Sequence, residues 1–124
     1  AGLALIDTMQ SLDCPVITVG EGVVASMAAV ILACGDHRQV YRHTQVLIHQ
    51  LMGGMGMAQQ TDIEIVAQHT AAMRAELDEL LAEHGNLSAQ EFHELTERDC
   101  WCNARRALEL GLVDEVIAPS KKAL

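Results

Sequence analysis

With 124 residues and a formal charge of −9, the chain has the length of one domain and the wrong sign for a nucleic-acid binder, which needs a basic face. Half of the residues are apolar and only three are aromatic, so the core must be built from Leu, Val, Ile, Met and Ala. The longest apolar run, Val23 to Cys34, is broken by Ser26 and too short to span a bilayer, and nothing at the start resembles a signal peptide.

Leu5, Ile6, Met9 and Leu12 share one helical face, which predicts a helix over Ala1 to Leu12. That the chain opens at Ala1 inside this pattern reads as a fragment whose upstream part is missing. Cys14-Pro15 stops the helix, because proline disfavours helix at the residue before it. Val16 to Val19 is a β-branched run and reads as a buried strand. Gly20 and Gly22 break it, and a small-residue helix follows from Ser26 to Cys34, with Gly35 as its C′ terminator. Gln39 to Tyr41 and Val46 to His49 read as strands, the second placing Leu47 and His49 on one face. It leads into Gly53-Gly54-Met55-Gly56, a loop that another chain can approach closely.

Thr61 to His84 is the longest predicted helix. Ile63, Val66, Thr70, Met73, Leu77, Leu80 and His84 form a narrow seam along it, which reads as a protruding self-association element. Ser88-Ala89-Gln90-Glu91 is a capping box opening a helix to about Leu95. Thr96 to Cys102 looks irregular or extended. Asn103 caps a helix from Ala104 to Leu110, Gly111 ends it, and Val113 to Ile117 returns as a strand. The order of elements predicts a single α/β domain over residues 1–124, a layered sheet with helices against it.

Ser26 lies at a strand-to-helix turn, where free backbone N–H groups and the helix dipole favour developing negative charge. Acyl-transfer enzymes hold a serine nucleophile there, with the next N–H, that of Met27, facing an oxyanion. An ordinary N-cap serine fits the same stretch. Activation needs a base. The only lysines, Lys121 and Lys122, stand at the C-terminus, which leaves histidine. Of six histidines, only His49 ends an apolar strand beside a glycine-rich loop. Asp99 stands out among the carboxylates for its non-helical position beside Trp101, with Asp114 as its competitor. Cys34 reads as a buried apolar residue. Cys100-x-Cys102 has no second pair at zinc spacing, so no metal site is expected, and cysteine usage points to a reducing compartment.

Six blocks in order then carry a resemblance: Ala1 to Gln10, Ala25-Ser26-Met27, Ile48-His49-Gln50 with Gly53-Gly54, Thr61 to Ile65, Thr96-Glu97-Arg98-Asp99, and Gly111-Leu112-Val113-Asp114. Together they resemble the ClpP family, the proteolytic subunit of the ATP-dependent Clp protease. The resemblance implies a crotonase-like fold and a serine endopeptidase with Ser26 as nucleophile, His49 as base and Asp99 as third triad member. It makes Met27 an oxyanion donor and the segment Leu51, Met52, Gly53 and Gly54 the substrate-pairing strand. It also makes the long helix a handle between stacked heptameric rings and Arg98 a ring-to-ring contact. It implies a cytoplasmic homo-oligomer that needs no cofactor of its own, with ATP used by a partner AAA+ unfoldase such as ClpX or ClpA that delivers unfolded polypeptides.

The sequence departs from the family at Leu51, where proline is usual, and at Cys100-Trp101-Cys102. The Gly35 to His49 connection is shorter than usual, and the Met55 to Gln60 loop slightly longer. Upstream of Ala1 the family carries a glycine-rich segment with the second oxyanion donor, so these residues alone are expected to be inactive. Two variants keep the same fold: a catalytically impaired ring subunit, and a phage capsid-maturation protease. A crotonase-type acyl-CoA enzyme would share the fold without the triad.

Overall fold

The structure is a computed structural model that describes residues 1–50 and 56–118. In chain order its elements are α1 (Gly2–Ser11), β1 (Ile17–Gly20), β2 (Val23–Ala25), α2 (Met27–Ala33), β3 (His37–Tyr41) and β4 (Gln45–Ile48). There follow α3 (Gln60–His84), α4 (Ala89–Leu95), β5 (Cys100–Cys102), α5 (Ala104–Glu109) and β6 (Glu115–Ile117). This is the α/β class expected of a ClpP-type chain, but with two small sheets among the described residues rather than one. The first has the order β1-β3-β6 and is parallel throughout. The second has the order β2-β4-β5, with β2 parallel and β5 antiparallel to the central β4.

The division starts at the glycines. Gly20 closes β1 against Val40, and a Cβ there would come within 2.9 Å of that side chain. Gly22 turns the chain at φ +68, a left-handed conformation that glycine adopts freely, and β2 departs into the second sheet. Helix α2 lies against both sheets. Its Ala29 and Ala33 are fully buried, so small side chains let the helix backbone approach them closely. Val40, Val46, Phe92, Leu110, Leu112 and Val113 complete one contiguous core with α2. Cys34 joins it, and burial pushes its thiol up to about 11.

Gly35 does not end α2 in the left-handed region: the positive-φ glycines among the described residues are Gly22 and Gly111. Its need for glycine is one of space, since a Cβ would sit 2.5 Å from Thr18 Oγ1. Gly111, at φ +74, does end α5 as expected. Ser88 Oγ accepts from Glu91 N–H at 3.1 Å and Glu91 Oε1 accepts from Ser88 N–H, which completes the capping box of α4. Asn103 Oδ1 caps α5 through Arg106 N–H at 2.8 Å.

Helix α3 runs for 25 residues, about 37 Å at the usual rise. Residues 60–69 are exposed along their whole length, including Ile63, Ile65 and Val66. Packing begins at Thr70, and the buried positions are Asp78 and Leu81 rather than the seam residues. The helix therefore does protrude, with its C-terminal half anchored on α2 and α4. Among the described residues no helix is long and apolar enough to cross a membrane.

Candidate active site

Strands β2 and β4 are parallel neighbours, so they end at the same edge of their sheet. Ala25 pairs with Leu47, and the Ser26 N–H donates to the Leu47 carbonyl at 3.1 Å. One residue past the end of β2 comes Ser26, and one past the end of β4 comes His49. The register alone brings a hydroxyl and an imidazole together from positions 23 residues apart.

Between β2 and α2 the backbone turns at Ser26 itself, with φ 59 and ψ −127. Among the described residues it is the single non-glycine with positive φ. Such a conformation costs on the order of 1–3 kcal/mol, so the surrounding pairing must hold it. It lifts the side chain out of the α2 N-terminus: Ser26 makes no side-chain cap bond, and Oγ lies 2.6 Å from His49 Nε2. The N-cap role that fits this stretch is thereby excluded.

The tautomer of His49 follows from its other nitrogen. Nδ1 lies 2.5 Å from the Gln50 carbonyl oxygen, which can only accept, so Nδ1 carries the proton. Nε2 is then the acceptor of the Ser26 O–H bond, the state a general base requires. Met27 opens α2, and its N–H has no partner one turn back; among the described residues it donates to no acceptor. The Met27 side chain is fixed by α1, where any side chain at Gly2 would collide with its Cγ.

A pocket of about 320 Å³ opens beside this pair. Met27, Val30, Ile48, Leu77 and Leu81 form apolar walls, and Arg74, Asp78, Gln50 and Thr96 supply its polar groups. Asp78 is buried, and its Oδ2 accepts from His93 Nδ1 at 2.7 Å. Arg74 donates to Gln50 Oε1 at 3.1 Å, to the His93 carbonyl at 2.9 Å and to Glu97 Oε2 at 3.2 Å. Neither Arg74 nor Asp78 was singled out by sequence reading. The available signal was that Arg74 is the one Lys or Arg in α3.

A sequence model described as Clp protease matches residues 1–120. The chain belongs to the Clp protease family. It is 42% identical over 123 residues to the ATP-dependent Clp protease proteolytic subunit of Streptococcus sanguinis, an alignment covering 97% of this chain and 63% of that protein. It is 40% identical to the proteins of the same name from Lactococcus lactis subsp. cremoris and Streptococcus pneumoniae. Those alignments cover 94% and 95% of this chain, and 60% and 62% of the relatives. The chain thus spans about three fifths of the length of these Clp subunits.

Of the family-matched positions, Ser26, His49 and Met27 converge on one edge. Asp99 does not join them. The antiparallel register runs Leu47–Trp101 and Ile48–Cys100, so one further step would set His49 against Asp99. Yet Asp99 is exposed, no hydrogen bond connects it to His49, and the Gln50 carbonyl holds Nδ1 in its place. The reason is local: β5 begins only at Cys100, so Asp99 lies in the irregular stretch between α4 and β5, where it is exposed. Asp114 lies elsewhere, bonded to Arg38 of the other sheet. Leu51, Met52, Gly53 and Gly54 fall outside the described residues. Arg98 is exposed on the turn before β5. Cys100 and Cys102 face the same side of β5 with sulfurs 3.8 Å apart, and burial first, then Cys100, pushes the Cys102 thiol up to about 12.

Proposed function

We propose that this chain is the catalytic part of a serine endopeptidase of the Clp type. The observation that carries the reading is the 2.6 Å contact between Ser26 Oγ and His49 Nε2 on a strained turn, beside a Met27 N–H that has no acceptor among the described residues and an apolar pocket. Ser26 Oγ attacks the peptide carbonyl as His49 Nε2 takes its proton. The Met27 N–H stabilises the oxyanion, at the position where one donor is worth ~10²–10³ in turnover. His49 returns the proton to the leaving amine, and water hydrolyses the acyl-enzyme by the same relay.

Family membership supports Asp99 as the carboxylate that stabilises the imidazolium, a role that requires its exposed side chain to turn towards His49, one register step away. Family membership supports the remaining assignments. Residues 51–54 pair with substrate backbone, and the exposed half of α3 and Arg98 serve ring stacking. A Clp ATPase feeds unfolded chains to a ring assembly in the cytoplasm. The apolar walls of Met27, Val30, Ile48, Leu77 and Leu81 suit an apolar side chain before the scissile bond.

One observation favours a second reading, a ring subunit that keeps the fold without peptidase activity: Asp99 is not bonded to His49. Hydrolysis of a fluorogenic peptide by the protein expressed from its complete reading frame separates the two. The endopeptidase reading predicts turnover that vanishes in Ser26→Ala and falls ~10⁴-fold in His49→Ala. Rings that form but cleave nothing, with or without a Clp ATPase, would establish the second reading.

A further inference from the structure

We infer that Arg74 is a positioning residue that clamps Gln50, the residue after His49, to the stretch between α4 and Asp99, and so fixes the base in its working place. This rests on the hydrolase reading of the same site. Arg74 projects from the first packed turns of α3 and is largely buried, with its side chain 16% exposed. Its guanidinium reaches both arms of the site. On one arm it donates to Gln50 Oε1, the side chain of the residue that follows His49. On the other it donates to the His93 carbonyl and to Glu97 Oε2, at the end of α4 and two residues before Asp99.

Gln50 completes the clamp. Its N–H donates to the Thr96 carbonyl at 3.0 Å and its Nε2 to the Glu97 carbonyl at 3.0 Å. Its own carbonyl holds His49 Nδ1. Every one of these links lies beyond the last β4–β5 ladder pair, Ile48–Cys100, where the sheet no longer sets the spacing of the two chains. A planar guanidinium with several donors bridges such acceptors at fixed distances, which one ammonium cannot do. Bases out of place by about 1 Å can lose on the order of 10²-fold in rate, so the clamp acts on turnover rather than on substrate affinity.

The test is steady-state hydrolysis of a fluorogenic peptide, with hydrogen exchange, on the protein expressed from its complete reading frame. Arg74→Ala is expected to lower kcat by on the order of 10–10²-fold with KM changed less than threefold. Arg74→Lys should recover part of that loss. Gln50→Ala should lower kcat too, and combining it with Arg74→Ala should give a loss smaller than the product of the two, because both cut one network. Unchanged kcat in Arg74→Ala, a loss in KM alone, or multiplicative losses would each overturn the clamp. If the unaltered protein hydrolyses nothing, the hydrolase reading fails and exchange decides the clamp by itself. Arg74→Ala must then speed exchange of the Gln50 amide while leaving the β1–β3 amides unchanged, and equal protection at Gln50 overturns it.

Discussion

Two polar clusters in this chain, one on each sheet, behave in opposite ways. Around β3, Arg38 is 7% exposed and its donors are bonded throughout: to both oxygens of Asp114, to the Ala33 carbonyl that ends α2 and to the His84 carbonyl that ends α3. A cation at two helix C-termini also complements their dipoles. Asp114 answers through the Arg38 backbone N–H and returns its own N–H to the Arg38 carbonyl. Around β4, by contrast, Ser26 is held in a strained conformation, and among the described residues the Met27 N–H beside the cavity has no acceptor. A cluster with every guanidinium nitrogen bonded and relaxed backbone joins elements together. A cluster with strain and, among the described residues, unmatched donors beside a space is arranged for a visitor.

The contrast predicts different failures. Replacing Arg38 by Ala strips a buried cation from its partners and should cost about 3 kcal/mol of stability, the low end for such pairs because Asp114 is partly in solvent. The protein that remains folded at low temperature should hydrolyse peptide at the unaltered rate. A fall in kcat comparable with that of His49→Ala would erase the distinction between the clusters.

Asp99→Asn probes the other side. Where a carboxylate alone sets the tautomer of the base, its amide costs ~10⁴-fold. Here the Gln50 carbonyl already fixes Nδ1–H, so kcat should fall by only ~10–10²-fold. A loss equal to that of His49→Ala would show that the carbonyl does not stand in for the carboxylate during turnover.

The pH dependence of stability belongs to the Arg38 cluster. The side-chain hydrogen bond from Arg38, against a smaller opposing effect of burial, holds the Asp114 carboxyl below its ordinary value of 3.8. A depressed carboxylate contributes stability above its unfolded pKa and loses it as pH falls through the folded one. Thermal unfolding from pH 7 to pH 2 should therefore show a component lost below about pH 4. Asp114→Asn should lack it, being less stable at pH 7 and flatter in acid. The smallest effect lies away from both clusters: Ser88→Ala removes the capping box of α4 and should cost about 1 kcal/mol in denaturant unfolding, with no change in kcat.

Much of this was legible in the sequence. The strand, glycine turn and small-residue helix around Ser26 pointed to an exposed hydroxyl, and the apolar strand before His49 singled out one histidine of six. Caps at Ser88 and Asn103 and the terminator Gly111 act through neighbours in the chain, and so can be read locally. What escaped depends on distant contacts. Val23 to Ala25 carry no periodicity that marks a strand, and only pairing with β4 makes them one. The need for glycine at position 35 comes from Thr18 on another element. The network of Arg74, Asp78 and His93 rests on where α3 meets α4, which no spacing within either helix discloses. The exposure of Asp99 follows from β5 starting one residue later, which the motif Thr96-Glu97-Arg98-Asp99 leaves open.

The measurement closest to the centre of the account is fluorophosphonate labelling of the protein expressed from its complete reading frame, mapped by mass spectrometry. The account predicts one phosphonyl adduct per chain, on Ser26, forming at least ~10³-fold more slowly in His49→Ala. An adduct on any other serine, or equal rates with and without the imidazole, would contradict it.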